Sequence, residues 1–140
     1  MDSGTMVKEI MTENVVTVSF DDSVYAAARL MADKGVGSCV VVKNDKPVGI
    51  VTERDVVRRV VAAGLSPKRT RVEDIMSSPL IVVGENTSVA EAAAIMARHG
   101  VRRLVVVTDD RLAGVISVTD LVRVVGEEGF RTVISALLRG

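Results

Sequence analysis

The sequence contains an internal duplication, which limits the possible folds more than any other feature. Shifted by about 65 residues, the chain lies on itself without a gap, and roughly 20 of about 52 aligned positions are identical. Gly49 then meets Gly114, and Asp55 meets Asp120. The chain is therefore predicted to contain two copies of one unit. The predicted segments are repeat 1 (7–63), a linker (64–71), repeat 2 (72–126) and a C-terminal segment (127–140).

Each copy shows the element pattern β-α-β-β-α after a short helical turn. In the first helix of each copy a serine hydroxyl can cap the start, and a glycine tolerates the left-handed turn at the end; these pairs are Ser23 with Gly35 and Ser88 with Gly100. The predicted strands are Val15–Val18, Ser38–Val42 and Val48–Val51 in repeat 1, and Leu80–Val83, Leu104–Val107 and Ala113–Ile116 in repeat 2. A unit of about 50 residues is near the lower limit for a stable core. The expected fold is therefore α+β, with the two copies packed sheet to sheet.

The composition predicts an aliphatic core and a chain outside the membrane. Apolar residues make up 48% of the sequence, yet the aromatic residues are only Tyr25, Phe20 and Phe130. A formal net charge of zero gives no reason to expect a polyanion as the main partner. Cys39 and His99 are too few for a zinc site, and a single cysteine is typical of a reducing compartment. Because no segment reads as a signal peptide or a membrane span, we expect a cytoplasmic protein.

The most informative positions stand where the third strand of each copy ends. They are Gly49, Thr52 and Asp55 in repeat 1, and Gly114, Ser117 and Asp120 in repeat 2. A hydroxyl residue at a helix start can cap the helix, and free N–H groups there attract anions. The carboxylate one turn later can accept both hydrogen bonds of a ribose diol, and the glycine permits close approach of a backbone. The pattern thus predicts a phosphate and ribose site in each copy.

These two segments resemble the glycine–hydroxyl–aspartate signature of CBS domains. Three further segments are also similar to that family, namely Ile10–Thr12, Ile75–Ser77 and Gly100–Leu104. The resemblance covers about residues 7–125 and implies a tandem CBS pair, or Bateman module, with two clefts between paired sheets about a pseudo-two-fold axis. It also implies a non-catalytic regulatory module that senses an adenosine compound, such as AMP, ADP, ATP or an S-adenosylmethionine-like ligand, and requires no cofactor.

The resemblance also suggests a role for each site residue. The two aspartates would hold ribose, Thr52 and Ser117 would contact phosphate, and adenine would lie against the first two strands. The predicted ligand-binding residues are Gly49, Thr52, Arg54, Asp55, Thr17, Val18, Ser38 and Cys39 in repeat 1, and Gly114, Ser117, Thr119, Asp120, Arg102, Arg103 and Val82 in repeat 2. Because the arginines stand at different positions in the two repeats, we expect the clefts to differ in ligand or affinity.

A structural interpretation of the same residues stays open. The hydroxyl–aspartate pattern also suits a helix cap, with Asp55 paired to Arg58 or Arg59 and Asp120 paired to Arg123. The chain would then be a structural or dimerisation adaptor for a protein partner. A run of basic residues leaves weak nucleic-acid binding as a lesser alternative, although stacking aromatics are lacking. An enzyme is not expected, since no nucleophile–base pair, metal set or phosphate loop is present.

Two apolar features predict contacts beyond one unit. In the segment 127–140, five apolar residues fall on one stripe of a helix that would pack on its own module or on a second subunit; they are Phe130, Val133, Ile134, Leu137 and Leu138. The second helix of each repeat carries consecutive valines, which leave apolar surface that one module does not cover. We therefore expect a homodimer through the second helices.

Overall fold

The computed structural model describes residues 5–78, 80–124, 126, 131 and 135. It divides into two compact units. The first, here called the 15–80 unit, runs from Val15 to Leu80; the second, here called the 81–140 unit, also contains the N-terminal residues 1–14. Each unit has one three-stranded sheet with helices. This confirms the predicted α+β class and its duplicated unit.

In the 15–80 unit, strand order follows the sequence. β1 pairs with β2 in parallel and β2 pairs with β3 antiparallel. The elements are β1 (Thr17–Ser19), α1 (Val24–Lys34), β2 (Ser38–Lys43), β3 (Lys46–Thr52), α2 (Glu53–Val56) continued by a π-helical turn (Val57–Val61), and α3 (Val72–Ile75). The first strand lies slightly further along the chain than predicted, because pairing with β2 begins only at Thr17.

The 81–140 unit repeats this arrangement with the same pairing and register. A 3-10 turn (Val7–Glu9) belongs to it. The other elements are β4 (Val82–Gly84), α4 (Val89–His99), β5 (Arg103–Thr108), β6 (Arg111–Ser117) and α5 (118–124). The predicted C-terminal helix lies mostly outside the described residues. Two of its positions are described, Arg131 and Ser135, and both are helical and exposed. Among the described residues, no helix has the length and apolar character needed to cross a bilayer.

The first helix of each unit begins and ends as the sequence predicts. The Ser23 hydroxyl accepts a hydrogen bond from the Ala26 N–H at 3.0 Å, and the Ser88 hydroxyl does the same for the Glu91 N–H at 3.0 Å. Both helices end at a glycine in the left-handed region, with φ 66° at Gly35 and 62° at Gly100. These local signals confirm both predicted helices.

The leading segment of each repeat comprises the residues before its first strand, 7–14 in repeat 1 and 72–78 in repeat 2. Each leading segment packs in the unit that contains the strands and first helix of the other repeat. In the 81–140 unit, the Thr12 N–H donates to the Val115 carbonyl at 2.9 Å, and the Val115 N–H donates back at 3.0 Å. In the 15–80 unit, Ser77 and Ile50 exchange the equivalent pair of bonds at 2.9 and 3.2 Å. In each unit these bonds pair backbone groups of an edge strand, β6 or β3, that would otherwise have no partner in the sheet. The sequence repeats and the compact units are thus different segments of the chain.

Candidate functional site

The ends of β3 and β2 bring the predicted residues of repeat 1 together. Thr52 lies opposite Ser38 in the antiparallel register. Immediately beyond the strand, the Glu53 N–H donates to the carbonyl of Gly37 at 3.0 Å. This bond fixes the start of α2 against the start of β2, so that the hydroxyl of Thr52 and the carboxylate of Asp55 lie at one end of the sheet.

Thr52 and Asp55 form a reciprocal capping box. The Asp55 N–H donates to the Thr52 hydroxyl at 3.1 Å, while the Thr52 N–H donates to Oδ2 of Asp55 at 2.9 Å. The other carboxylate oxygen, Oδ1, lies 3.8 Å from Nε of Arg59. Two backbone donors at the helix start are therefore satisfied by the box itself.

Ser117 and Asp120 repeat the box in the other unit with one additional bond. Oδ2 of Asp120 accepts from both the Ser117 N–H at 2.8 Å and the Ser117 hydroxyl at 3.0 Å, and the Asp120 N–H lies 3.2 Å from that hydroxyl. Arg123 Nη1 lies 3.6 Å from Oδ1. The two aspartate side chains are buried to nearly the same degree, with 13% of Asp55 and 12% of Asp120 exposed.

These bonds correct one part of the sequence interpretation. The N–H groups at the helix starts were expected to be free for an anion, but in repeat 1 those of Thr52, Glu53 and Asp55 are engaged, by Asp55, Gly37 and Thr52 in turn. The same three donors are engaged in repeat 2. The structural interpretation of the box as a helix cap is confirmed, as are the predicted pairs Asp55 with Arg59 and Asp120 with Arg123. A bound anion would have to be neutralised mainly by side chains.

The two signature glycines are explained by methionines. A Cβ at Gly114 would lie 2.6 Å from the Met11 sulfur and 2.8 Å from the Thr12 carbonyl oxygen. A Cβ at Gly49 would collide with the side chain of Met76. The close approach expected at these glycines is thus made by the leading segment of the other repeat. These methionines were not predicted to pair with the glycines, because no local feature of the sequence connects them.

The remaining predicted residues fall into an exposed and a buried group. Thr17 and Val82 face outward from the first strands, and Ser38 is partly exposed. Val18 and Cys39 have 5% and 1% of their surface exposed and belong to the core of the 15–80 unit. Only their backbone atoms remain available for contacts outside that core. The charged and polar members Arg54, Arg102, Arg103 and Thr119 are all exposed.

Comparison with known proteins identifies the family. The CBS domain profile matches residues 7–62 and again residues 72–127. The chain belongs to the CBS domain family. It is a tandem CBS module, and CBS-domain proteins are in general regulatory rather than catalytic.

Three similar proteins place the module among its relatives. An uncharacterized protein of Methanopyrus kandleri is 39% identical over 84% of this chain, which spans 61% of that protein's length. A signal-transduction protein with CBS domains from Burkholderia ambifaria has a solved structure that is 42% identical, with a TM-score of 0.77, over 85% of this chain and 92% of that one. A hexameric CBS-CP12 protein from bloom-forming cyanobacteria is 37% identical, with a TM-score of 0.77, over 86% and 67% of the two chains.

Proposed function

We propose that this tandem CBS module is a non-catalytic sensor of adenosine compounds, with AMP, ADP, ATP and S-adenosylmethionine as the candidate ligands. The observation that carries the proposal is the arrangement of the carboxylate oxygens, which is the same at Asp55 and at Asp120. In each unit Oδ2 is used to cap a helix, while Oδ1 accepts no hydrogen bond among the described residues and lies near one arginine. A carboxylate oxygen with free lone pairs suits the hydroxyls of a ribose.

Surface chemistry around the aspartates supports the same ligand class. Each unit offers a hydroxyl, a carboxylate and at least one exposed guanidinium at a single end of its sheet. Aliphatic strand residues, not aromatic ones, would cover the base. Binding would regulate the module if the ligand prefers one of two arrangements of the chain, because only differential affinity shifts an equilibrium. We place the sensor in the cytoplasm, where it would meet such ligands; fractionation of cells with tagged full-length protein tests this.

Thermal unfolding with a ligand panel tests the function. The panel is adenosine, AMP, ADP, ATP, S-adenosylmethionine and methylthioadenosine, with GMP and GTP as controls for the base. A ligand at about 100 times its dissociation constant adds roughly 2.7 kcal/mol per site, which corresponds to several degrees in a protein of this size. A shift with an adenosine compound and not with its guanosine counterpart supports sensing. Absence of any shift rejects it and favours the adaptor alternative.

The site variants should be asparagine substitutions, because alanine would also remove the helix cap. Asp55→Asn and Asp120→Asn keep an oxygen that can accept the backbone N–H but lose the charge. Asp22→Asn is a matched control, since Asp22 also accepts a backbone N–H three residues earlier, at 2.9 Å from Ser19, at the opposite end of the sheet. The proposal expects ligand shifts to shrink in the first two variants and to persist in the control.

A second copy of the chain is the partner that the exposed apolar surface favours. Val57, Val61 and Leu65 are four residues apart, and 58%, 63% and 49% of their surfaces are exposed. A hexameric relative indicates that tandem CBS modules associate. We propose a homodimer through this stripe. Sedimentation should show a dimer that Val61→Asp dissociates, whereas Ala62→Asp, at the next exposed position, leaves it intact. A monomer at high concentration rejects this interface.

A further inference from the structure

The two units place opposite charges on the same backbone frame. In the 15–80 unit the Glu53 N–H donates to the Gly37 carbonyl at 3.0 Å. In the 81–140 unit the Val118 N–H donates to the Arg102 carbonyl, also at 3.0 Å. These bonds establish that position 37 is equivalent to 102 and position 53 to 118 in three dimensions. The backbone is matched, and the side chains are not.

The 15–80 unit carries a carboxylate at this frame. Glu53 Oε1 would lie 3.5 Å from a Cβ at Gly37, so its carboxylate lies over the start of β2. Arg54 follows it and is exposed. One guanidinium thus offsets one carboxylate, and Asp55 is paired with Arg59, which leaves Arg58 as a further exposed cation one turn along the helix.

The 81–140 unit carries two guanidiniums in the same place. Arg103 lies opposite Ser117 in the strand register, just as Ser38 lies opposite Thr52. Arg102 precedes it, and both side chains are exposed. Within the part of the chain that the structure describes, neither arginine takes part in an ion pair. Val118 supplies no carboxylate to offset them. The end of this sheet therefore has excess positive charge.

Side chains largely decide how much anionic charge each site accepts, because three backbone donors at each helix start are already engaged. Ser117, Val118 and Asp120 each have their N–H group bonded within the protein. A phosphate chain at this end must therefore be neutralised by guanidiniums, which form strong charge-assisted bonds to phosphate oxygens. The carboxylate of Glu53 would instead repel a phosphate chain.

We propose that the two units sort adenosine compounds by charge. The Ser117–Asp120 site takes a compound with a phosphate chain, and its affinity rises with phosphate number. The Thr52–Asp55 site takes a compound whose 5′ substituent is neutral or positively charged. This inference rests on the proposed function, since it assigns ligand classes to the same two sites. Val118 and Glu53, together with the Arg102–Arg103 pair, are the specificity-determining residues.

Isothermal titration of proteins with one site disabled tests the charge preference. Asp55→Asn leaves the Ser117–Asp120 site, and adenosine, AMP, ADP and ATP are titrated into it at low and at physiological salt. We expect ATP to bind at least tenfold more tightly than adenosine, with the difference shrinking as salt is added. Asp120→Asn leaves the Thr52–Asp55 site, where S-adenosylmethionine should bind more tightly than ATP.

Exchanging residues between the units provides the decisive variants. Arg102→Gly with Arg103→Ser gives the 81–140 unit the residues of the other unit. ATP affinity should fall about tenfold for each guanidinium that is removed, with adenosine affinity unchanged. Arg111→Ser removes an exposed arginine at the opposite end of β6 and should leave both affinities unchanged. Equal binding of ATP and adenosine to the Asp55→Asn protein, or an unchanged ratio in the exchange variant, overturns the inference. Absence of binding by every adenosine compound to the wild-type chain overturns the proposed function instead.

Discussion

Oδ2 of Asp120 accepts two hydrogen bonds from a single residue, one from the Ser117 N–H at 2.8 Å and one from the Ser117 hydroxyl at 3.0 Å. The aspartate therefore links the end of β6 to the start of α5. Oδ2 of Asp55 accepts only the bond from the Thr52 N–H. The carboxylate predicted to bind ligand is thus also a structural element, and the two functions have to be separated experimentally.

Asp120→Ala should destabilise the protein by about 1–3 kcal/mol, because it leaves the Ser117 N–H without its acceptor in a mostly buried position. Asp120→Asn should cost less, since an amide oxygen can still accept that bond. Urea unfolding of the two variants measures both values. Asp74→Ala is the matched control, because its bond to the Arg71 N–H is longer at 3.3 Å and exposed. If all three variants lose the same free energy, the Ser117–Asp120 bonds do not stabilise the helix start.

Gly114→Ala should destabilise the protein by roughly 1–3 kcal/mol through overpacking. The new methyl would meet the Thr12 carbonyl oxygen, which is backbone, as well as Met11. Gly49→Ala should cost less, because the atoms it meets all belong to the flexible side chain of Met76. Thermal or urea unfolding gives both free energies.

Two variants isolate the cause of that difference. Gly84→Ala introduces a methyl into open space at ordinary φ and should be neutral or slightly stabilising. Adding Met76→Ala to Gly49→Ala should remove most of the coupling between the two sites, which a double-mutant cycle measures. A Gly84→Ala loss as large as that of Gly114→Ala would contradict the steric explanation.

Local features were predictable from the sequence because they depend on residues close together along the chain. Ser23 and Ser88 cap helices through bonds to residues three positions later, and Gly35 ends a helix through its own φ. The Thr52–Asp55 box follows the same logic, since its partners are also three residues apart. Because the two repeats align, each prediction for one repeat also applied to the equivalent residues of the other.

Long-range features were not predictable, because they depend on residues that are far apart along the chain. Met11 and Gly114 are distant in sequence, and no period or composition connects them. The bonds that engage the Glu53 and Val118 N–H groups were also missed, because they depend on where the carbonyls of Gly37 and Arg102 lie at the start of the neighbouring strand. The exchange of the leading segments brings Met11 to Gly114. The antiparallel pairing of β2 with β3 and of β5 with β6 brings the carbonyls of Gly37 and Arg102 to the helix starts. Both are properties of the folded chain.

Asp45→Gly should stabilise the hairpin between β2 and β3 by up to about 1 kcal/mol. Asn44 and Asp45 have φ values of 52° and 64°, which a two-residue type I′ turn requires and which glycine adopts without steric cost. Gly35→Ala is the converse control, because it introduces a Cβ at φ 66° and should destabilise the protein. Denaturant midpoints measure both. A loss of stability in Asp45→Gly would show that the entropy gained by the unfolded chain outweighs relief of the turn.

Because its thiol is buried, Cys39 should make the protein less stable at high pH. Burial raises the pKa of its thiol from 9.0 to about 11, because the charged thiolate is disfavoured in an aliphatic core. Between these pH values the folded chain retains a proton that the unfolded chain releases. The contribution of this thiol to the free energy of unfolding should therefore be constant below pH 9 and fall as pH rises toward 11, with a slope approaching about 1.4 kcal/mol per unit.

Comparison with Cys39→Ala isolates the contribution of this thiol from the contributions of all other groups in the protein. Urea unfolding of both proteins from pH 8 to 11 should give a stability difference that is flat at first and then shifts in favour of the alanine variant. Alkylation of the native protein by iodoacetamide at pH 8 should be slow and should accelerate in urea, since the buried thiol is protonated and inaccessible. Parallel pH profiles for the two proteins, or rapid alkylation without urea, would mean that Cys39 is exposed in solution and that β2 lies closer to the surface than its burial indicates.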